Sequence, residues 1–195
     1  MNRLEEQRVI ELAAQGDRAA ADCLIRTHQA SLYSYMVRLS GRPDIAEDIV
    51  QDAFVRILMN LNRFDPRFRF STWLFTIAKR LYMNAMQKHR PVYDSEVVGS
   101  AAGAGRSDPS GPSIAEEERS HARECLDAAL AGLNEEQRQI MLLFHQQEWP
   151  ISQIAAYMSM PEGTIKSHLH RGRKKMRRLY EEVEQGVGSE IEAEL

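Results

Sequence analysis

The chain is poor in cysteine and has no long apolar run. Its two cysteines, Cys23 and Cys125, stand about a hundred positions apart in 195 residues. Neither belongs to a CxxC pair or has a histidine at metal-ligand spacing, so two reduced, buried thiols in a cytoplasmic protein are the simplest reading. No stretch of eighteen apolar residues occurs, nor a charged leader followed by an apolar core, so neither a membrane span nor a secretion signal is expected. The GxSxG, P-loop and HExxH signatures are missing. His168 and His170 lie two apart, on different faces of one helix, and His121 and His145 are isolated. No catalytic residue, metal site or cofactor is expected, and the chain does not read as an enzyme. Strand-period alternation and internal repeats are absent as well, which leaves an all-α protein.

What is present is unevenly distributed charge. The formal net charge is −3, yet Glu181, Glu182, Glu184, Glu190, Glu192 and Glu194 place −6 in the last fifteen residues and leave +3 on the other 180. Between Arg63 and Arg90 seven basic residues face Asp65 alone, and seven more, with no acid, follow Glu162 up to Arg178. Residues 91–113 read PVYDSEVVGSAAGAGRSDPSGPS, too rich in Gly, Ser, Ala and Pro to offset the entropy of ordering. As a flexible coil this linker would span about 25 Å on average and about 75 Å fully stretched.

The second basic run sits in a helix-turn-helix pattern. Ile151, Ile154, Ala155 and Met158 recur at helical spacing, and Pro161 with Gly163 marks the turn. In the following helix Ile165, Leu169, Gly172, Met176 and Leu179 share one side. Lys166, Ser167, His170, Arg171, Lys174 and Arg178 share the other. Such a helix fits the major groove, where Lys or Arg reads guanine edges; a merely solvated basic face is the plainer alternative.

The first module predicts helices over Leu4–Gln15 and Arg18–Ser40, broken by Gly16 and Asp17, and a third from Pro43. On the third, Ile45, Ile49, Ala53, Ile57 and Leu61 form one apolar row and Ala46, Val50, Phe54 and Leu58 the next. Asp44, Asp48 and Asp52, with Glu47 and Gln51, occupy the opposite face. That face suits either partner binding or ordinary solubility with helix-dipole compensation. RFDPRFR (Arg63–Arg69) then interleaves aromatic and cationic residues, a combination that single-stranded DNA favours because bases stack while Arg holds phosphate. A fourth helix is expected over Ser71–Arg90 with Ser71 as N-cap. It carries Leu74, Ile77, Ala78, Leu81, Tyr82 and Ala85 inward and a polar row of Thr72, Thr76, Arg80, Asn84 and Lys88 outward, with Trp73 at the border.

Three of these segments, in this order, resemble the extracytoplasmic-function (ECF) branch of bacterial RNA polymerase sigma factors. PDIAEDIVQDAFVRIL (Pro43–Leu58) is similar to the region 2 helix that docks on the polymerase clamp. FRFSTWLFTIAKR (Phe68–Arg80) is similar to the segment that opens and reads the minus-10 element, and the helix-turn-helix resembles the region 4 reader of the minus-35 element. The resemblance implies two small helical domains joined by a flexible linker. Region 2 would occupy 1–90, the linker 91–114, region 4 115–180 and an acidic tail 181–195. It implies a protein that binds core RNA polymerase at clamp and flap, directs promoter-specific initiation in the cytoplasm, inserts in no membrane, and is held by an anti-sigma factor.

Residue by residue, the resemblance puts polymerase binding on Asp44, Glu47, Asp48, Gln51, Asp52 and Phe54. Minus-35 recognition falls on Lys166, Ser167, His170 and Arg171, with Thr164, Arg173 and Lys174 on phosphate. Minus-10 recognition falls on the loop Asn62–Phe70 and the helix after it, through Arg63, Phe64, Arg67, Phe70, Ser71, Trp73, Arg80, Asn84 and Lys88. There are departures. Arg80 and Asn84 stand where many relatives have Asn and Asp. Glu148-Trp149-Pro150-Ile151 replaces a turn in which Gly is more usual, and Gln153 replaces a common Glu; both changes are expected to lie outside the packed row. The linker reads as a plain tether or as a segment threading toward the polymerase channel, and the tail as a disordered solubiliser or a regulatory extension. Two other classes remain open: a stand-alone regulator that dimerises through its first module, and an interaction protein that sequesters a partner.

Overall fold

The computed structural model describes residues 2–88 and 114–193, with side chains over 2–87 and 119–182. Among these residues all regular structure is helical. The chain divides into two compact units, Met1–Val98 and Gly99–Leu195. The expected linker, residues 91–114, lies almost wholly outside the described residues.

In the first unit, helix α1 (Arg3–Ala14) starts in a capping box: the Glu5 N–H donates to Asn2 Oδ1 and the Asn2 N–H to Glu5 Oε2, both at 2.9 Å. Gly16, at φ 94°, turns the chain, and Asp17 caps α2 (Arg18–Ser40) by accepting from the Ala19 and Ala20 N–H groups. Helix α3 (Pro43–Leu58) opens with Pro43 in its first turn, where the missing N–H costs nothing. A single 3-10 turn, Leu61–Arg63, and a loop lead to α4 (Phe70–Lys88). The expected apolar rows of α3 are the core: Ile45, Ala46, Ile49, Val50, Ala53, Phe54 and Ile57 are buried, against Leu24, Leu32, Tyr35, Met36 and Leu39 of α2 and Leu74, Phe75 and Ala78 of α4. Each fully buried Leu, Ile or Phe contributes about 1.5–3 kcal/mol by leaving water.

Two expectations are corrected in this unit. Ser71 is not the N-cap of α4, because the Trp73 N–H already donates to Arg69 O at 3.3 Å and the helix begins at Phe70. Phe70 is fully buried and carries the helix start one residue earlier. Of the two cysteines only Cys125 is buried; Cys23 is exposed, on the α2 flank that carries the Arg26–Asp22 ion pair.

The second unit comprises α5 (Ile114–Ala131), α6 (Glu135–His145), α7 (Ile151–Met158) and α8 (Glu162–Ala193). Arg138 closes the α5–α6 turn by donating to the carbonyls of Leu130 and Ala131 at the end of α5, at 2.9 and 2.6 Å, and to that of Leu133 in the turn, at 3.1 Å. Helix α8 packs on α5, α6 and α7. It extends to Ala193, so the backbone over most of the expected acidic tail is helical rather than disordered; side chains from residue 183 onward lie outside the described ones. The turn before α7 is also corrected. Trp149 is 6% exposed and meets the Tyr157 ring edge-on at 5.4 Å, so it is part of the core. Glu148 takes a left-handed φ of 53°. That conformation is the physical reason for a glycine in such a turn, and Glu148 adopts it at a cost.

Candidate nucleic-acid interface

The helix-turn-helix presents its outer row because its inner row is fixed. Ile165 and Leu169 are buried, and a methyl group on Gly172 would stand 3.2 Å from Met141 Sδ, so α8 lies close on α6. The helical period then carries Lys166, Ser167, His170, Arg171 and Lys174 to the surface, and all five are exposed. Ser167 Oγ donates to Gly163 O at 2.9 Å and Arg171 Nε to Ser167 O at 3.3 Å, which leaves the serine oxygen able to accept and further guanidinium N–H groups able to donate. Thr164 is half-buried at the start of the helix. Arg173 is exposed as well, and it also leans on α6: its guanidinium lies 5.4 Å from the Phe144 ring centre, and its Nε donates to His145 Nε2 at 3.4 Å. Partial burial, and then the Arg173 charge, hold His145 below its ordinary pKa, as that acceptor role requires.

The expected minus-10 residues divide into a base, a tip and a helix face. Phe70 is at the base, 0% exposed, its ring centre 5.1 Å from His28, 5.9 Å from Phe64 and 6.1 Å from Trp73. A fully buried ring cannot stack on a base, so Phe70 is a support. Phe64 and Trp73, 5.4 Å apart, are half-buried above it, and Ser71 is half-buried beside them. At the tip Arg63, Arg67 and Arg69 are exposed. Asp65 grips Arg67 through Nε at 2.9 Å and Nη2 at 2.6 Å, and this bond holds the Asp65 carboxyl below its usual range. Phe68, an aromatic of the RFDPRFR stretch that the residue-by-residue expectation does not name, is 60% exposed between Arg67 and Arg69. The signal was available: Phe70 heads the inward row of Leu74 and Ala78, whereas Phe68 precedes the helix. On α4, Arg80 and Asn84 are exposed, Thr76 donates to Thr72 O at 2.7 Å, and the Lys88 side chain lies outside the described ones.

The acidic residues of α3 straddle two grooves. Asp48 and Asp52 line one of about 470 Å³ between α3 and α4, together with Arg56 and Asn84. Glu47 and Gln51 line the other, of about 550 Å³ between α2 and α3, with Tyr33, Val50 and Val55. Asp44, Glu47, Asp48, Gln51 and Asp52 are exposed, whereas Phe54 is 6% exposed and forms part of the second groove's floor. Arg42 binds Asp44 at 2.6 Å and lowers its pKa through that hydrogen bond. Among the described residues no three His, Cys, Asp or Glu side chains gather as metal ligands, and no helix is long and apolar enough to cross a membrane.

Comparison with known proteins agrees with this layout. Residues 24–92 match the family Sigma-70 region 2, and residues 123–176 match Sigma-70, region 4. The ECF RNA polymerase sigma factor SigL of Mycobacterium tuberculosis is 30% identical over 172 residues, 88% of this chain and 94% of that protein. The ECF RNA polymerase sigma factor SigW of Bacillus subtilis is 29% identical over 174 residues, 87% and 93% of the two chains. Among solved structures, the sigma factor RpoE in complex with the anti-sigma factor NepR from Bartonella quintana shares the fold, with a TM-score of 0.62, 23% identity, and coverage of 82% of this chain and 96% of that one. The chain therefore belongs to the ECF family of RNA polymerase sigma factors, proteins of transcription initiation.

Proposed function

We propose that this chain docks on core RNA polymerase through the acidic face and grooves of α3, reads a minus-35 element with α8, and captures and melts a minus-10 element with the loop before α4. The observation that carries the reading is the separation of labour: two basic faces, one on a helix and one on an aromatic loop, lie in different units, and the acidic face of α3, in the first unit, is distinct from both. Each base contact on α8 supplies about 1–3 kcal/mol of discrimination, and phosphate contacts add affinity that falls with salt. Bases extruded at the loop cost a few kcal/mol each to unstack, which stacking on Phe68 or Trp73 offsets. Docking on polymerase makes the second DNA contact effectively intramolecular, so specificity needs both readers.

The same reading places the chain in the cytoplasm, with an anti-sigma factor as its inhibitory partner. The neighbouring RpoE structure, solved with the anti-sigma factor NepR, supports that partnership. Run-off transcription with core polymerase on the DNA upstream of the protein's own coding sequence tests the proposal, beside a gel shift with and without polymerase. A specific shift that requires polymerase, and a discrete transcript, are expected. Tight, specific binding to a palindrome without polymerase would overturn it.

A further inference from the structure

We infer that α1 is a brace for the minus-10 loop, and that Arg3 and Gln7 are its positioning residues; the inference rests on the loop reading proposed above. Arg3 Nη2 donates to Pro66 O at 3.2 Å and to Arg67 O at 3.0 Å, and Gln7 Nε2 donates to Pro66 O at 3.2 Å. The two residues are one helical turn apart, so both side chains reach the same stretch of loop.

Helix α1 does not need these bonds to form or to dock. Its start is fixed by the Asn2–Glu5 capping box, Ile10 and Ala13 are buried, and Glu6 Oε1 lies 3.2 Å from His28 Nε2 on α2. The loop has more to gain. Phe64 and Phe70 anchor its ends in the aromatic cluster, and the tip is folded on itself by Asp65, whose side chain accepts from the Arg67 N–H at 2.9 Å and whose carbonyl accepts from the Phe68 N–H at 3.1 Å. Those bonds shape the tip without tying it to another element. The α1 bonds do so, at two consecutive carbonyls directly before Phe68. Held there, Arg67, Phe68 and Arg69 meet an extruded base in a fixed arrangement, and less chain entropy is lost on capture.

The test uses the full chain assembled with core polymerase and a forked duplex library randomised over the minus-35 positions of its duplex and the minus-10 positions of its single-stranded tail. Replacing Arg3→Ala together with Gln7→Ala is expected to lower tail capture about tenfold, the consequence of losing a few modest hydrogen bonds, and to flatten base preference at minus-10. The melting temperature, binding to polymerase and preference at minus-35 stay as in the wild type. Arg3→Lys, which keeps one charged donor, restores part of the preference. An unaltered minus-10 preference overturns the inference. So does a parallel loss of melting temperature and polymerase binding, which would make α1 a general stabiliser. Phe68→Ala with Arg69→Ala separates the two levels. If that pair also leaves selection unchanged, the loop reading itself fails; if it flattens selection while the α1 pair does not, the brace alone fails.

Discussion

The two basic surfaces solve one problem by different means. On α8 the side chains proposed to read DNA are spaced by a helix whose inner row, Ile165 and Leu169, is locked in a core, so the backbone itself sets their positions. Before α4 the side chains proposed to capture minus-10 bases sit on a loop, and their positions depend on what holds the loop: a buried ring beneath, an Asp65–Arg67 pair within, and α1 from outside. A helix suits the rigid edges of duplex DNA. A loop with an exposed ring suits a base that has left the stack.

The contrast is broken most severely at Phe70 and Phe68. Phe70→Ala removes a fully buried ring and is expected to cost the first unit about 3–5 kcal/mol, read as a large fall in its thermal melt. Phe68→Ala should leave the melt unchanged and weaken capture of single-stranded minus-10 DNA by about 1–3 kcal/mol. A melt that falls for Phe68→Ala, or holds for Phe70→Ala, reverses the assignment of support and reader.

Next in size is Lys166→Ala with Arg171→Ala. Two lost base contacts correspond to a drop in promoter-specific run-off product of about a hundredfold, with core-polymerase binding intact. Retained specific transcription would remove α8 as the reader.

The helix-borne surface was legible in the sequence residue by residue, the loop-borne one only as a segment. Periodicity places both ends of α1 and α2 and the start of α3 within a residue or so and exposes the basic row of α8, because a helical row follows from spacing alone; it carries α3 on to Leu61, which instead lies in the 3-10 turn after the helix ends at Leu58. Loop side chains have no period, so the RFDPRFR stretch marks an aromatic, basic segment without saying which ring is exposed, whereas the inward place of Phe70 follows from its row with Leu74 and Ala78. The contacts of Arg173 with Phe144 and His145 were not legible for a related reason: spacing gives its exposure, but those partners belong to another helix. Trp149 read as turn because the fold around it, above all Tyr157, is tertiary. Cys23 read as buried because cysteines usually are, although its place on α2 is an outer one.

Smaller effects refine the support of α8. Glu148→Gly relieves the left-handed φ of 53°, partly offset by a more flexible unfolded chain, and should raise stability by about 0.5–1 kcal/mol in a denaturant melt. A loss of stability would mean that the Glu148 side chain matters more than its backbone. The smallest effect is titration of His145, whose pKa lies below the ordinary 6.5. The unfolded chain takes up this proton first as pH falls, so the stability of the second unit is intact above that value and declines through the window beneath it. His145→Gln should flatten the slope of melting temperature against pH between about 7.5 and about 5.5; an unchanged slope would assign it elsewhere.

The division of labour between the two surfaces is most directly tested by promoter selection with assembled holoenzyme, using a library randomised at both minus-35 and minus-10 and sequenced across both at once. The Lys166→Ala, Arg171→Ala protein should lose preference at minus-35 alone, and the Phe68→Ala, Arg69→Ala protein at minus-10 alone. Loss at both elements from either protein, or at neither, would contradict two independent readers on one chain.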